Sequence, residues 1–244
     1  MLLLIHFLPL VAVLQISLAK EEKGFVMSLS EAQQQEIVDM YNAARRSVQP
    51  TASNMQKMKW SEKAAESAEK WAAECLARSS LLKDRYVDGI LCGESISQAN
   101  FVRSWKEVIE FWKSSQPRFV YGKNTSEEVR SAALGYTQMV WYNSHEIGCS
   151  FAFCPKQPNY SYFYICRFCP AGNLLDTLPK PYKEGQPCAD CPDNCDNKLC
   201  TNACHYVNHL SAKECTNIID QFECESDWVQ EKCKASCNCE TELA

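Results

Sequence analysis

The chain has 244 residues, 16 cysteines and a formal charge of −5, enough length for one or two cored domains. The charge is uneven: residues 188–244 hold 4 Lys, no Arg and 11 acidic residues (−7), leaving 21 basic against 19 acidic residues (+2) elsewhere. Such an acidic C-terminal part excludes direct nucleic-acid binding, because phosphates need cationic partners.

Residues 1–19, MLLLIHFLPLVAVLQISLA, contain no Lys, Arg, Asp or Glu and end on Ser17-Leu18-Ala19, just before the charged KEEK. That is the pattern of a secretory signal peptide. The run is short of the ~20 apolar residues a membrane span needs, and no later stretch is apolar enough to span. In an exported chain an even number of cysteines implies disulfides, here eight from 16 cysteines; spacing alone leaves their connectivity open. Sequons at Asn124-Thr125-Ser126 and Asn159-Tyr160-Ser161 fit a secreted glycoprotein.

A first helix is written in SEAQQQEIVDMYNAARRSV, where Ser30 and Gln33 make a capping box. Ile37, Met40, Tyr41, Ala44 and Val48 form its apolar stripe, and Pro50 stops it. A second helix is predicted from Ser61 through Cys75, with Ala64, Ala65, Ala68, Trp71 and Ala72 inward. A third runs from about Val102 to Lys113, with Trp105, Val108, Ile109 and Trp112 on one face, and a fourth covers Glu127 to Gln138. The period then changes. IGCSFAFC and YFYICRFC, separated by PKQPNY, read as two paired strands. Helices on a small antiparallel sheet make an α+β domain.

Residues 172–187, GNLLDTLPKPYKEGQP, have three prolines, two glycines and no period, and read as a linker. Ten cysteines follow between Cys188 and Cys239. So small a unit cannot offset its chain entropy by apolar burial, so disulfides must hold it. CADCPDNC, and the imidazoles of His205 and His209, could suggest zinc, but the thiols of an exported chain oxidise. The same compartment argument excludes cytosolic CxxC redox chemistry.

Several stretches carry a resemblance to a known family. YNAARRSVQPTASNMQKMKW, CGES, YTQMVW and FYICRFCPAGN, together with the ten-cysteine tail, resemble the cysteine-rich secretory proteins of the CAP superfamily. The resemblance implies an α-β-α sandwich over 20–171, a linker and disulfide-rich hinge over 172–203, and a unit over 204–239 similar to sea-anemone potassium-channel toxins, with 240–244 as a tail. It also implies the bridges Cys75–Cys154, Cys92–Cys169 and Cys149–Cys166 in the sandwich. In the hinge it implies Cys188–Cys195 and Cys191–Cys200, and in the last unit Cys204–Cys239, Cys215–Cys233 and Cys224–Cys237.

Many members of that family bring two His and two Glu together in a cleft where zinc has been seen, a set suited to metal-bound water chemistry. Here the four positions hold Ser79, Glu94, Ser115 and Gly135. With three ligands missing, no metal, cofactor or catalytic residue is expected. Glu94 is left to hydrogen bonding within the sandwich, Ser79 and Ser115 have no identifiable His base, and His145 reads as a surface residue. The resemblance therefore points to a non-enzymatic secreted protein that binds a cell-surface protein or ion channel, as relatives do on sperm and gametes in reproductive fluids. A venom-type channel toxin, a sterol or lipid carrier and, more remotely, a metal-dependent protease are the alternatives. The toxin reading is weakened by Asp227, which stands where a channel-plugging Lys is expected beside Trp228. Trp228 is the candidate binding residue, an aromatic anchor in an acidic rim. Oligomeric state is left open.

Overall fold

The computed structural model describes residues 23–239 except Ala77, His205 and Ser211. The signal-peptide reading, the 240–244 tail and the reading of His205 lie outside these residues. The elements in order are β1 (Phe25–Met27), α1 (Glu31–Arg46), β2 (Lys59–Trp60), α2 (Glu62–Ala73), β3 (Tyr86–Val87), β4 (Ile90–Leu91), β5 (Gly93–Ala99), α3 (Trp105–Lys113), α4 (Glu127–Met139), β6 (Glu146–Phe153) and β7 (Tyr162–Cys169). The C-terminal part adds β8 (Cys195–Asp196), β9 (Leu199–Cys200), α5 (Ala212–Phe222), α6 (Asp227–Lys232) and α7 (Lys234–Asn238).

Local chemistry sets the helix ends. Ser30 with Gln33 and Ser104 with Glu107 form complete capping boxes at α1 and α3, each satisfying orphan N–H groups of the first turn. The second box starts α3 at Trp105, the first residue of its apolar face and three residues after the expected start at about Val102. Cys75 has φ +51°, a left-handed conformation that ends α2 before it.

The sheet runs β1-β6-β7-β5, with β2 pairing in parallel onto β6. Beyond the two strands read from sequence, β1, β2 and β5 complete it. Alternation along β7 assigns its two faces. Tyr162, Tyr164, Cys166 and Phe168 pack with α1, α3 and α4 in the main core. Phe163 and Ile165 face Ala68, Trp71 and Ala72 of α2. The result is an α-β-α sandwich. Trp105 meets Phe151 and Tyr164 edge-on at 6.1 and 5.5 Å, contacts worth ~0.5–1.5 kcal/mol each beyond their burial. On the other face a Cβ at Gly148 would lie 2.0 Å from the Ala65 nitrogen. Only glycine lets α2 approach the sheet so closely.

Arg45, 1% exposed, donates to the carbonyls of Gln56, Met139, Trp141 and Tyr142 at 2.8–3.0 Å. Burial pulls its guanidinium down to about 9, still protonated at neutral pH, and the four carbonyl dipoles stand in for water. It thus fixes α1 to the end of α4 and to the loop before β2.

Residues 172–187 are not a solvated linker. Leu178 and Tyr182 are buried, and Tyr182 belongs to the main core. Backbone bonds tie the segment down, from Tyr142 N–H to Pro181 O (2.8 Å) and from Ser53 N–H to Lys183 O (2.9 Å). Its prolines lack an N–H, so only their carbonyls need partners, and Pro179 O and Pro181 O accept from the N–H groups of Gly122 and Tyr142. The β8–β9 hairpin is docked as well. Cys200 exchanges backbone bonds with Met55 and Lys57 at 2.8 Å, and Leu199 is fully buried in the main core.

The structure contains eight disulfides that use all 16 cysteines. Cys75–Cys154, Cys92–Cys169 and Cys149–Cys166 lie in the sandwich. Cys188–Cys195 and Cys191–Cys200 hold the hinge. Cys204–Cys239, Cys215–Cys233 and Cys224–Cys237 hold the helical tail, whose small apolar clusters centre on Val229, Ala235 and these cystines.

Candidate functional site

The register of β5 on β7 decides what Glu94 does. Glu94 lies opposite Arg167, and Gly93 opposite Phe168. A Cβ at Gly93 would strike the Gln138 side chain of α4. Alternation then sends Glu94 to the other face of the sheet, beside α2. There it is 2% exposed and pairs with Arg167 Nη1, on a side chain that is wholly buried. Ser80 donates its N–H at 3.1 Å and its hydroxyl at 2.6 Å to Glu94, and Arg85 Nη2 stands 3.4 Å away. Arg167 also donates to Ser80 Oγ and Ser67 Oγ at 3.0 and 3.3 Å. Burial lowers the Arg167 guanidinium from its ordinary value, and Glu94 opposes that shift. The carboxylate is consumed as a counter-ion. Sequence reading missed Arg167, Ser80 and Arg85. The available signal was an Arg inside the apolar strand YFYICRFC, since a buried charge requires a partner.

The other expected ligand positions lie elsewhere. Ser79 is exposed beside Ser80. Ser115 and Gly135 meet where α3 approaches α4. Ser115 Oγ donates to Trp112 O at 2.8 Å and accepts from Tyr136 N–H at 2.9 Å, while a Cβ at Gly135 would lie 3.0 Å from Trp112 O. These are helix-packing roles. A zinc ion, which the fold family implies, does not fit this set: it offers no imidazole, and its one carboxylate is neutralised by guanidinium. The Sγ atoms of Cys188, Cys191 and Cys200 form the one metal-sized group of His, Cys and acidic residues among the described residues. All three are spent in disulfides, whereas a metal needs thiolate.

The polar step in GYTQMVW is structural. Thr137 Oγ1 donates to Asn173 Oδ1 at 2.7 Å, Gln138 Nε2 donates to Ser144 Oγ at 3.0 Å, and Gln138 Oε1 accepts from Gly172 N–H at 3.2 Å. The bonds to Asn173 and Gly172 fasten the segment after β7 to α4, and Ser144, before β6, extends the tie by donating to Pro170 O at 2.7 Å. His145 is a correction: it is not a surface residue but is 4% exposed, with Nδ1 3.1 Å from Asn143 O. It is enclosed because its carbonyl accepts from Lys59 N–H and its own N–H donates to Cys169 O, which brings β2 and the end of β7 around it.

In the tail, Trp228 is 48% and Phe222 59% exposed. Their rings meet edge-on at 6.3 Å. Glu223, Glu225 and Asp227 are exposed around them. Phe222 was not foreseen, because the two residues join only when α5 and α6 pack together. A second feature is a groove of about 910 Å³ between sandwich and tail, lined among others by Trp141, Tyr142, Leu174, Tyr206 and Leu210. Asn124 and Asn159 are both exposed. No helix among the described residues is long and apolar enough to cross a membrane.

Comparison with known proteins follows this division. The model of the cysteine-rich secretory protein family, CAP, matches residues 38–168, more than half the chain, and the Crisp model matches residues 188–244. A crystal structure described as NaASP2 with Zn2+ is 25% identical at a TM-score of 0.60, over 71% of this chain and 97% of that one. BmVAL-1 is 28% identical at a TM-score of 0.54, over 70% of this chain and 91% of its own. Schistosoma mansoni venom allergen-like protein 4, 22% identical at a TM-score of 0.51 over 67% of this chain and 100% of that one, is a likeness of fold alone.

Proposed function

This chain belongs to the cysteine-rich secretory protein family, and from that premise we propose that it is a secreted, non-enzymatic glycoprotein that acts by binding a protein on a cell surface. The observation that carries the reading is the exposed Trp228–Phe222 pair within an acidic rim. Aromatic anchors dominate interface energies, while rim charges set approach rate and partner choice. The partner is a basic surface of a receptor or ion channel, and the family likeness favours sperm or gamete surfaces in reproductive-tract fluid. Catalysis is disfavoured, because Glu94 is locked between guanidinium groups and Ser115 is committed to two backbone partners. A venom-type pore-plugging toxin is disfavoured by the −7 charge of residues 188–244, since cation-channel mouths are commonly acidic.

The test is binding of the labelled full chain to intact sperm. Trp228→Ala should weaken it by about 2 kcal/mol, roughly 30-fold, and raising salt should slow association. Equal binding by the variant, or faster association in high salt, overturns the reading. A sterol or lipid carrier is the second reading, favoured by the apolar groove at Trp141 and Tyr206. It requires saturable uptake of a fluorescent sterol that Trp141→Ala reduces; no uptake removes it.

A further inference from the structure

The hinge cysteines form two bridges, Cys188–Cys195 and Cys191–Cys200. We propose that the hinge is an exchange site for small thiols, at which these bridges convert to the alternative pairing Cys188–Cys191 and Cys195–Cys200. The inference is independent of the binding role proposed above.

Three observations support it. The Sγ atoms of Cys188, Cys191 and Cys200 all lie within 4.8 Å of one another, so a sulfur of one bridge sits beside the other bridge. A turn closed by Cys191 N–H to Cys188 O, at 3.0 Å, keeps the first two cysteines together. Next, Cys195 and Cys200 face each other across the β8–β9 ladder. Thr201 N–H donates to Asn194 O at 2.9 Å, so the ladder's alternation makes 195/200 a non-hydrogen-bonded pair. In such pairs the Cα atoms come within ~4.5 Å and side chains are closest, inside the span a disulfide bridges. Finally, Cys195 is exposed whereas Cys188, Cys191 and Cys200 are buried. An incoming thiolate therefore meets Cys195 first.

The steps balance. A thiolate RS⁻ attacks Cys195 Sγ; the mixed disulfide Cys195–S–S–R forms, the bond to Cys188 breaks, and its electron pair stays on Cys188. The Cys188 thiolate then attacks Cys191 Sγ, forming Cys188–Cys191 and releasing Cys200 as thiolate. Cys200 attacks Cys195 Sγ, forming Cys195–Cys200 and returning RS⁻. There is no net oxidation or reduction, and the thiol acts as a catalyst. Exposed Asp193 lies two residues before Cys195, and Asp196 beside it is paired with Lys57 at 2.5 Å, so the charge at the point of entry is largely balanced. In the structure both bridges tie the turn at 188–191 to the β8–β9 hairpin. In the alternative both are local, and that covalent tie between sandwich-side turn and tail-side hairpin is gone.

The experiment treats the full chain with β-mercaptoethanol near neutral pH, quenches with acid and alkylates free thiols. Cleavage before Asp190, Asp193 and Asp196 then separates all four cysteines for non-reducing mapping. Linked Cys188–Cys191 and Cys195–Cys200 peptides should grow at the expense of the original pairs, without a matching rise in alkylated cysteine. A Cys195–thiol adduct with Cys191–Cys200 intact, or reduction of the hinge with no new pairing, overturns the proposal. In Cys195→Ser the odd thiol should be shared, with alkylation at both Cys188 and Cys200. Label confined to Cys188 refutes the exchange step.

Discussion

Removing the carboxylate at Glu94 should expose how much of the sandwich rests on one buried ion pair. In Glu94→Ala the Arg167 side chain, fully buried, keeps its charge but loses its counter-ion. Ser80, 4% exposed, loses the acceptor of both its N–H and its hydroxyl. Stranding one member of a buried pair costs about 3–5 kcal/mol. For a protein of this size ~1 kcal/mol shifts Tm by about 2–4 °C, so a fall of roughly 6–20 °C is expected. Near-UV circular dichroism on heating, disulfides intact, reads it. Glu94→Gln should fall between wild type and Ala, because it still accepts from Ser80. Glu94→Leu with Arg167→Met should recover most of the loss, because replacing both members by apolar groups is often neutral. A wild-type Tm in Glu94→Ala, or a double variant less stable than the single, would refute the counter-ion role. Loss of a binding or enzymatic activity in Glu94→Gln at unchanged Tm would instead return Glu94 to functional chemistry.

Two further outcomes follow from the structure. The hydrogen bond and charge of Lys57 hold Asp196 below the ordinary aspartate value of 3.8, so the pair's contribution to hinge docking is fully present above that value and is lost as pH falls through the depressed one. Amide exchange at Lys57 and Cys200, corrected for intrinsic rates, should accelerate in that acid window, and Asp196→Asn should remove the pH dependence; a dependence that survives the substitution contradicts this. Isothermal titration of the native chain with zinc should give no submicromolar site in the sandwich. Gly135→His should lower Tm without adding metal affinity, since its Cβ would meet Trp112 O at 3.0 Å; a tight zinc site in either protein overturns the assignment of these positions to packing.

The start at Ser30 was legible because capping is settled within four residues, the third helix by its apolar face although its cap at Ser104 was not read, and β6 and β7 because a run such as YFYICRFC has no helical stripe. The even cysteine count was equally plain, and the quoted stretches carried the family likeness and with it the sandwich. What the sequence left open is what depends on distant partners. Glu94 and Arg167 are 73 positions apart, and only the β5–β7 register places them opposite each other; one residue of slip would send Glu94 to the α4 face. Tyr182 sits in a proline-rich run that looks solvated, yet the main core takes it in, because burial belongs to the assembled surface and not to the run. His145 is enclosed by backbone bonds from Lys59 and to Cys169, neither of which a local pattern announces. Composition and short-range periodicity fix elements; tertiary register and packing decide which side chains, like Glu94, are spent on structure and which, like the half-exposed Trp228, stay at the surface.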